Sequence, residues 1–122
     1  MTTILIVDDN EGLRSAYELM FEGLGYKVLL ASDGKEAINL GLDQMGVAPV
    51  AIVDLKMPGL DGPTTIAALK AQSPELKFIS ISAQMLGPYF GRLADLGVRH
   101  FVSKPFSISE LMETIQEVQA AA

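Results

Sequence analysis

Several residues in this chain carry reactive or strongly polar groups at the ends of apolar runs. Asp8 and Asp9 close ILIVDDN, Asp54 sits in VAIVDLKMPGLDG, Ser82 ends FISIS and Lys104 ends HFVSK. Each group has a definite chemical capacity. Carboxylates are hard oxygen ligands and suit Mg2+, which takes only a few of them and keeps several waters. Such an ion neutralises phosphoryl oxygens during transfer. One carboxylate can then act as a nucleophile and form an aspartyl phosphate. A lysine supplies a compact positive charge for the phosphate, and a serine supplies a donor. Asp8 and Asp9 side by side also pose a problem, since two unit charges about 5 Å apart repel by roughly 3 kcal/mol at an effective dielectric near 20. A cation would relieve that repulsion.

These residues act together only if the fold gathers them. Ile4–Val7, Val28–Ala31, Val50–Val53, Phe78–Ile81 and Phe101–Val102 are short apolar runs that hardly alternate with polar residues, as strands buried on both faces do. Stretches of helical period lie between them. Leu13, Tyr17, Met20, Phe21 and Leu24 share one face of a first helix, with Asp9 or Asn10 as its cap and Gly25 as its stop. Asp33 caps a second helix through Ala37, Ile38 and Leu42, ending near Gly46. A third runs from Pro63, at the first helical position, to Ala71. The fourth is short and late, from Pro88 to Leu96, because Gly87, Pro88 and Gly91 oppose it. The fifth opens with the capping box Ser107 to Glu110 and buries Leu111, Ile115 and Val118. Asp61-Gly62 reads as a turn.

Five repeats of strand then helix predict an α/β fold, a doubly wound (βα)5 three-layer sandwich with a five-stranded parallel sheet. In such a sheet the strand C-termini share one edge, and ligands bind in the crevice there. Asp8, Asp9, Asp54, Ser82 and Lys104 therefore converge.

Bulk properties narrow the function classes. The 122 residues suffice for one domain, taken as 1–122. Without cysteine, disulfides and thiolate metal sites are excluded. A single histidine, His100, cannot make a histidine-based metal site. A net charge of −6 argues against nucleic-acid binding through a basic face. No apolar run reaches membrane-span length, and MTTILIVDDN lacks the basic segment of a secretory signal. The expectation is a cytoplasmic protein that does not engage a membrane.

Taken together, VDDN, D-L-K-M-P-G-L-D-G from Asp54, SISA and KPF resemble the receiver domain of two-component response regulators, over essentially the whole chain. The resemblance implies a flavodoxin-like, chemotaxis-regulator-like fold of strand order 2-1-3-4-5. It implies that Asp54 accepts a phosphoryl group from a histidine kinase or histidine phosphotransfer protein. Asp8, Asp9 and Asp54 would hold Mg2+, with the backbone carbonyl of Lys56 as a further ligand. Ser82 would be the switch hydroxyl, Phe101 the aromatic switch and Lys104 the phosphoryl contact, with a cis Lys104-Pro105 bond. Lys56 and Gln84 fall at the positions that tune the lifetime of the phosphoryl group.

Phosphorylation would then reshape the face formed by the fourth helix, fifth strand and fifth helix, for a downstream protein target, a fused output domain or a dimer partner. Met85 and Leu86 are expected to be partly exposed and to form such a contact, on a mobile segment. The competing reading is a Mg2+-dependent phosphatase or hydrolase using Asp54 as turnover nucleophile. Lys56 disfavours it, because many such enzymes carry a second aspartate there. A dinucleotide site would need G-x-G-x-x-G after the first strand, where this chain has D-D-N-E-G.

Overall fold

The structure is a computed structural model and describes residues 3–40, 50–83 and 87–120. Five parallel strands form one sheet: β1 (Thr3–Val7), β2 (Lys27–Ala31), β3 (Val50–Asp54), β4 (Lys77–Ser82) and β5 (Phe101–Ser103). Their spatial order is β2-β1-β3-β4-β5, as the resemblance implied. The helices are α1 (Glu11–Gly23), α2 (Gly34–Ile38), α3 (Gly62–Gln72), α4 (Gly87–Asp95) and α5 (Ile108–Ala120).

The central strands are apolar throughout because both of their faces are covered. Ile4, Ile6, Ile52, Ile79 and Ile81 pack with Tyr17 and Phe21 of α1 and with Leu111, Ile115 and Val118 of α5. Leu5, Val7, Ala51, Val53 and Phe78 face the other way, onto Ala37 of α2, Ile66 and Leu69 of α3 and Leu93 of α4. The two edge strands depart from full burial. In β2, Lys27 is exposed and Val28 to Leu30 are half-buried, and in β5 only Val102 is buried. An edge strand has a neighbour on one side only, so its apolar residues are less completely covered.

Helix starts follow local chemistry. Asn10, not Asp9, caps α1, its Oδ1 accepting from Leu13 N–H at 3.0 Å. Asp33 caps α2 by accepting from Glu36 N–H at 2.8 Å. Asp61 caps α3 by accepting from Thr64 N–H at 2.9 Å, which puts Pro63 one residue later in the helix than expected. Ser107 Oγ accepts from Glu110 N–H at 3.1 Å at the start of α5. Gly25 takes φ 92° just beyond α1, which suits a residue without Cβ. Leu24 is exposed rather than in the core, because α1 has already ended at Gly23. Among the described residues α2 ends at Ile38, and the expected continuation through Leu42 to Gly46 lies outside them, as do Met85 and Leu86.

Two details fix the ground beside Asp54. Gly62 N–H donates to Leu55 O at 2.9 Å, closing the loop that follows β3. A Cβ on Gly62 would lie 2.6 Å from Leu55 Cα and 3.0 Å from Asp54 O. The Arg92 guanidinium of α4 donates to both Asp61 oxygens, at 2.8 and 3.3 Å, and to Thr64 Oγ1 at 2.8 Å. Arg92 holds the Asp61 carboxyl down at about 2. The pair's contribution is therefore complete above the ordinary carboxylate pKa and is lost as pH falls through about 2.

Gly62→Ala should destabilise the fold by about 1–3 kcal/mol, since the clash is with backbone. Gly91→Ala in α4, where a Cβ meets nothing within 4 Å, should instead add up to about 1 kcal/mol. Urea unfolding of the two variants checks both signs.

Candidate functional site

Parallel pairing places the ends of β1, β3, β4 and β5 along one rim. Asp8 follows the last residue of β1, Asp54 and Ser82 are the last residues of β3 and β4, and Lys104 follows β5. Side-chain alternation then aims the acids. Asp8 continues the Ile4–Ile6 row and Asp54 the Val50–Ile52 row, so both stand above the face covered by α1 and α5.

One carboxylate oxygen from each of Asp8, Asp9 and Asp54 lies within 4.8 Å of the others. Asp8 is 2% exposed and Asp54 7%, whereas Asp9 is exposed. Lys104 Nζ bridges the two buried acids, 3.1 Å from Asp8 Oδ2 and 3.0 Å from Asp54 Oδ2. The other oxygens of the pair are held by backbone. Asn10 N–H donates to Asp8 Oδ1 at 2.9 Å, and Lys56 N–H to Asp54 Oδ1 at 3.3 Å. Arg14 donates to the Asp8 carbonyl at 2.8 Å from the first turns of α1. Lys104 N–H donates to Ser82 O at 2.8 Å, so the serine and the lysine are joined through the main chain. The Lys104-Pro105 peptide is cis, as expected.

Electrostatics follow from this crowding. Burial pushes the Asp54 carboxyl above its ordinary range, against the hydrogen bond and charge of Lys104, and Asp8 adds to the rise. Burial also works against the Lys104 ammonium, yet the hydrogen bonds and charges of Asp54 and Asp8 prevail and hold its pKa above the usual lysine value. Three carboxylates against one ammonium leave negative charge in excess. The donor set is all hard oxygen, and exposed Asp9 leaves the cluster open to water. These residues therefore fit a divalent cation such as Mg2+.

The other expected residues are placed less centrally. Ser82 is buried at the rim. Phe101 stands further down β5, opposite Ser80, half-buried against the α3–α4 side of the core. Lys56 approaches through its backbone, and its side chain is exposed. Gln84 lies outside the described residues. His100 is half-buried on the segment before β5, its carbonyl accepting from Ser80 N–H at 3.0 Å. Sequence reasoning missed Arg14 and the second role of Asn10. The spacing of Arg14, one and a half helical turns beyond the acids, was the available signal.

The family model described as the response regulator receiver domain matches residues 4–116. The chain belongs to the response regulator receiver domain family. It is 38% identical over 117 residues to the probable transcriptional regulator ycf27 of Guillardia theta, covering 94% of this chain and 44% of that protein. It is 32% identical over 118 residues to response regulator SaeR of Staphylococcus aureus, covering 97% and 50%. It is 30% identical over 116 residues to sensor kinase CckA of Brucella abortus, covering 95% and 12%. The chain thus spans half or less of the length of these relatives. Among solved structures, Vibrio cholerae chemotaxis protein CheY4 superposes with a TM-score of 0.87 at 26% identity, covering 97% of this chain and 98% of that one. The receiver domain of HemR from Leptospira biflexa gives 0.85 at 27% identity, covering 100% and 97%.

The electrostatics make a prediction about stability. A carboxyl whose folded pKa is raised costs stability at neutral pH and stops doing so once protonated. Asp54→Asn should be more stable than the parent at pH 7, and the gap should close as pH falls through the raised pKa toward ordinary carboxylate values. Lys104→Met should be less stable at pH 7, since two buried acids lose their shared ammonium. Urea denaturation across pH measures both.

Proposed function

We propose that residues 1–122 work as one phospho-accepting receiver, with Asp54 as the acceptor and a histidine kinase or histidine phosphotransfer protein as the donor. The observation that carries this reading is the Lys104 ammonium shared by Asp8 and Asp54 beside a third carboxylate. The receiver family supplies the two-component setting.

Asp54 supplies the nucleophile. One of its carboxylate oxygens attacks the phosphorus of the donor's phosphoimidazole, the P–N bond breaks, and its electron pair stays on the imidazole. Asp8, Asp9, Asp54 and the backbone carbonyl of Lys56 would hold Mg2+, which when bound supplies charge neutralisation for the phosphoryl oxygens. Lys104 has three donors to redirect from the carboxylates to the phosphoryl group. Ser82 supplies a hydroxyl from the neighbouring strand end. Because Lys104 N–H is bonded to Ser82 O, the two are drawn in as a unit.

The modification adds about −1.5 to −2 charges and three acceptor oxygens. A shift from 1:99 to 99:1 requires about 5.5 kcal/mol of differential stabilisation. Two to four charge-assisted hydrogen bonds, at roughly 1.5–3 kcal/mol each, cover that. Ser82 moving toward the site opens space into which the half-buried Phe101 ring turns. The α4-β5-α5 face is then the output surface, for a protein target, a fused output domain or a phosphorylation-dependent dimer. A receiver of this kind is a signalling switch that catalyses only its own modification and reversal. Nucleic acid is not its direct ligand, in keeping with the net charge of −6. Among the described residues no helix is long and apolar enough to cross a membrane, and a cytoplasmic location suits the proposed phosphodonors.

With Mg2+ and beryllofluoride, amide NMR shifts should spread from the site to β5 in the parent protein and be absent in Asp54→Ala. Identical responses, or none in either protein, would overturn the assignment. The exposed Lys56 side chain screens the acyl phosphate from water, so Lys56→Asn should hydrolyse faster, by about threefold or more. An equal or slower rate, followed by loss of radiolabel, would count against that role.

A further inference from the structure

Arg14 stands beside an acidic cluster and yet directs its charge at none of the acids. It is half-buried in α1 and makes no ion pair among the described residues. Its Nη1 donates instead to the main-chain carbonyl of Asp8 at 2.8 Å. A guanidinium has five N–H donors and matches a carboxylate with two at once, so a carboxylate would be its ordinary partner here. What the carbonyl bond achieves follows from what else holds the three acids.

The Asp8 carboxylate is held by Asn10 N–H and by Lys104, and that of Asp54 by Lys56 N–H and by Lys104. Asp9 is the exposed member of the cluster, and its carboxylate has no donor among the described residues. Its place is therefore set through its main chain. The chain enters Asp9 by the Asp8–Asp9 peptide, and among the described residues the Arg14 guanidinium is the one donor to the carbonyl of that peptide. The chain leaves Asp9 at Asn10, whose carbonyl accepts from Arg14 N–H at 3.0 Å. One residue thus grips the main chain on both sides of Asp9. The grip also leaves the three carboxylates clear, whereas a guanidinium seated on them would compete with a divalent cation for the same oxygens.

We propose that Arg14 is a positioning residue for the cation site, bracketing Asp9 through the carbonyls of Asp8 and Asn10 and so fixing the one carboxylate that no donor steers. The inference rests on the reading that Asp8, Asp9 and Asp54 hold Mg2+. Its sign is opposite to that of simple charge repulsion. By charge alone, removing a cation next to the site should tighten Mg2+ binding. Removing a group that orients a ligand should weaken it.

Arg14→Met tests this, because it keeps an unbranched helix-forming side chain and removes the guanidinium. Mg2+ titration followed by amide NMR shifts should show about tenfold weaker binding in the variant than in the parent. In an Asp9→Asn background the same substitution should bring no further weakening, since the carboxylate it steers is gone. Unchanged or tighter binding in Arg14→Met would overturn the role of Arg14 while leaving the phospho-acceptor reading intact. Equal weakening in both backgrounds would mean that Arg14 supports the fold at large rather than Asp9, and would overturn it too. Should Arg14→Met not fold, Arg14→Gln, a polar residue equally suited to a helix, serves the same cycle with the same outcomes. A parent protein whose amide signals do not respond to Mg2+ would remove the cation-site reading, and this inference with it.

Discussion

Like charges held at close range at the end of a hydrophobic sheet are the constraint around which this molecule is arranged. Asp8 and Asp54 are almost wholly withdrawn from water, and for Asp54 burial favours the protonated form. The Lys104 ammonium between them opposes that, at the cost of its own partial burial. Backbone N–H groups from Asn10 and Lys56 take the remaining oxygens. The result is a site whose three carboxylates carry more negative charge than the one ammonium between two of them offsets.

The rest of the fold serves to hold that unfavourable arrangement rigid. A parallel sheet covered on both faces has no give in its central strands, so the positions of Asp8 and Asp54 are set by β1 and β3 rather than by mobile loops. The helices add fixed points. Asn10 both caps α1 and lends its N–H to Asp8. Gly62 wedges the start of α3 against Leu55. On the other flank, the main-chain bond from Lys104 N–H to Ser82 O ties the end of β5 to the end of β4.

Much of this was readable from the residue pattern, and the failures have physical causes. The strands and their buried character came from unbroken runs such as ILIV and VAIV, and the rim residues from their position at the ends of those runs. The edge strands misled, because an apolar run does not reveal how many neighbours a strand has. Val28 to Leu30 read as fully buried and are not. Leu24 fitted the apolar period of α1 but lies past its end, since the turn through Gly25 overrides periodicity. Tyr17 read simply as a core residue. Its ring is that, but helical spacing cannot say what a hydroxyl at the ring's far end will meet. Asp61 read as a turn residue, and its bond to Arg92, thirty-one positions away, carries no local signal at all.

That Asp61–Arg92 contact has a mechanical meaning. Its α3 end is anchored by the tight seat of Gly62, while its α4 end is a long guanidinium arm in open solvent. Exposed ion pairs weaken as dissolved electrolyte screens them. The fourth helix is therefore moored to a fixed post by a line whose tautness depends on the surrounding medium, so the ease with which α4 shifts against α3 is set partly by the ionic composition of the solution around it.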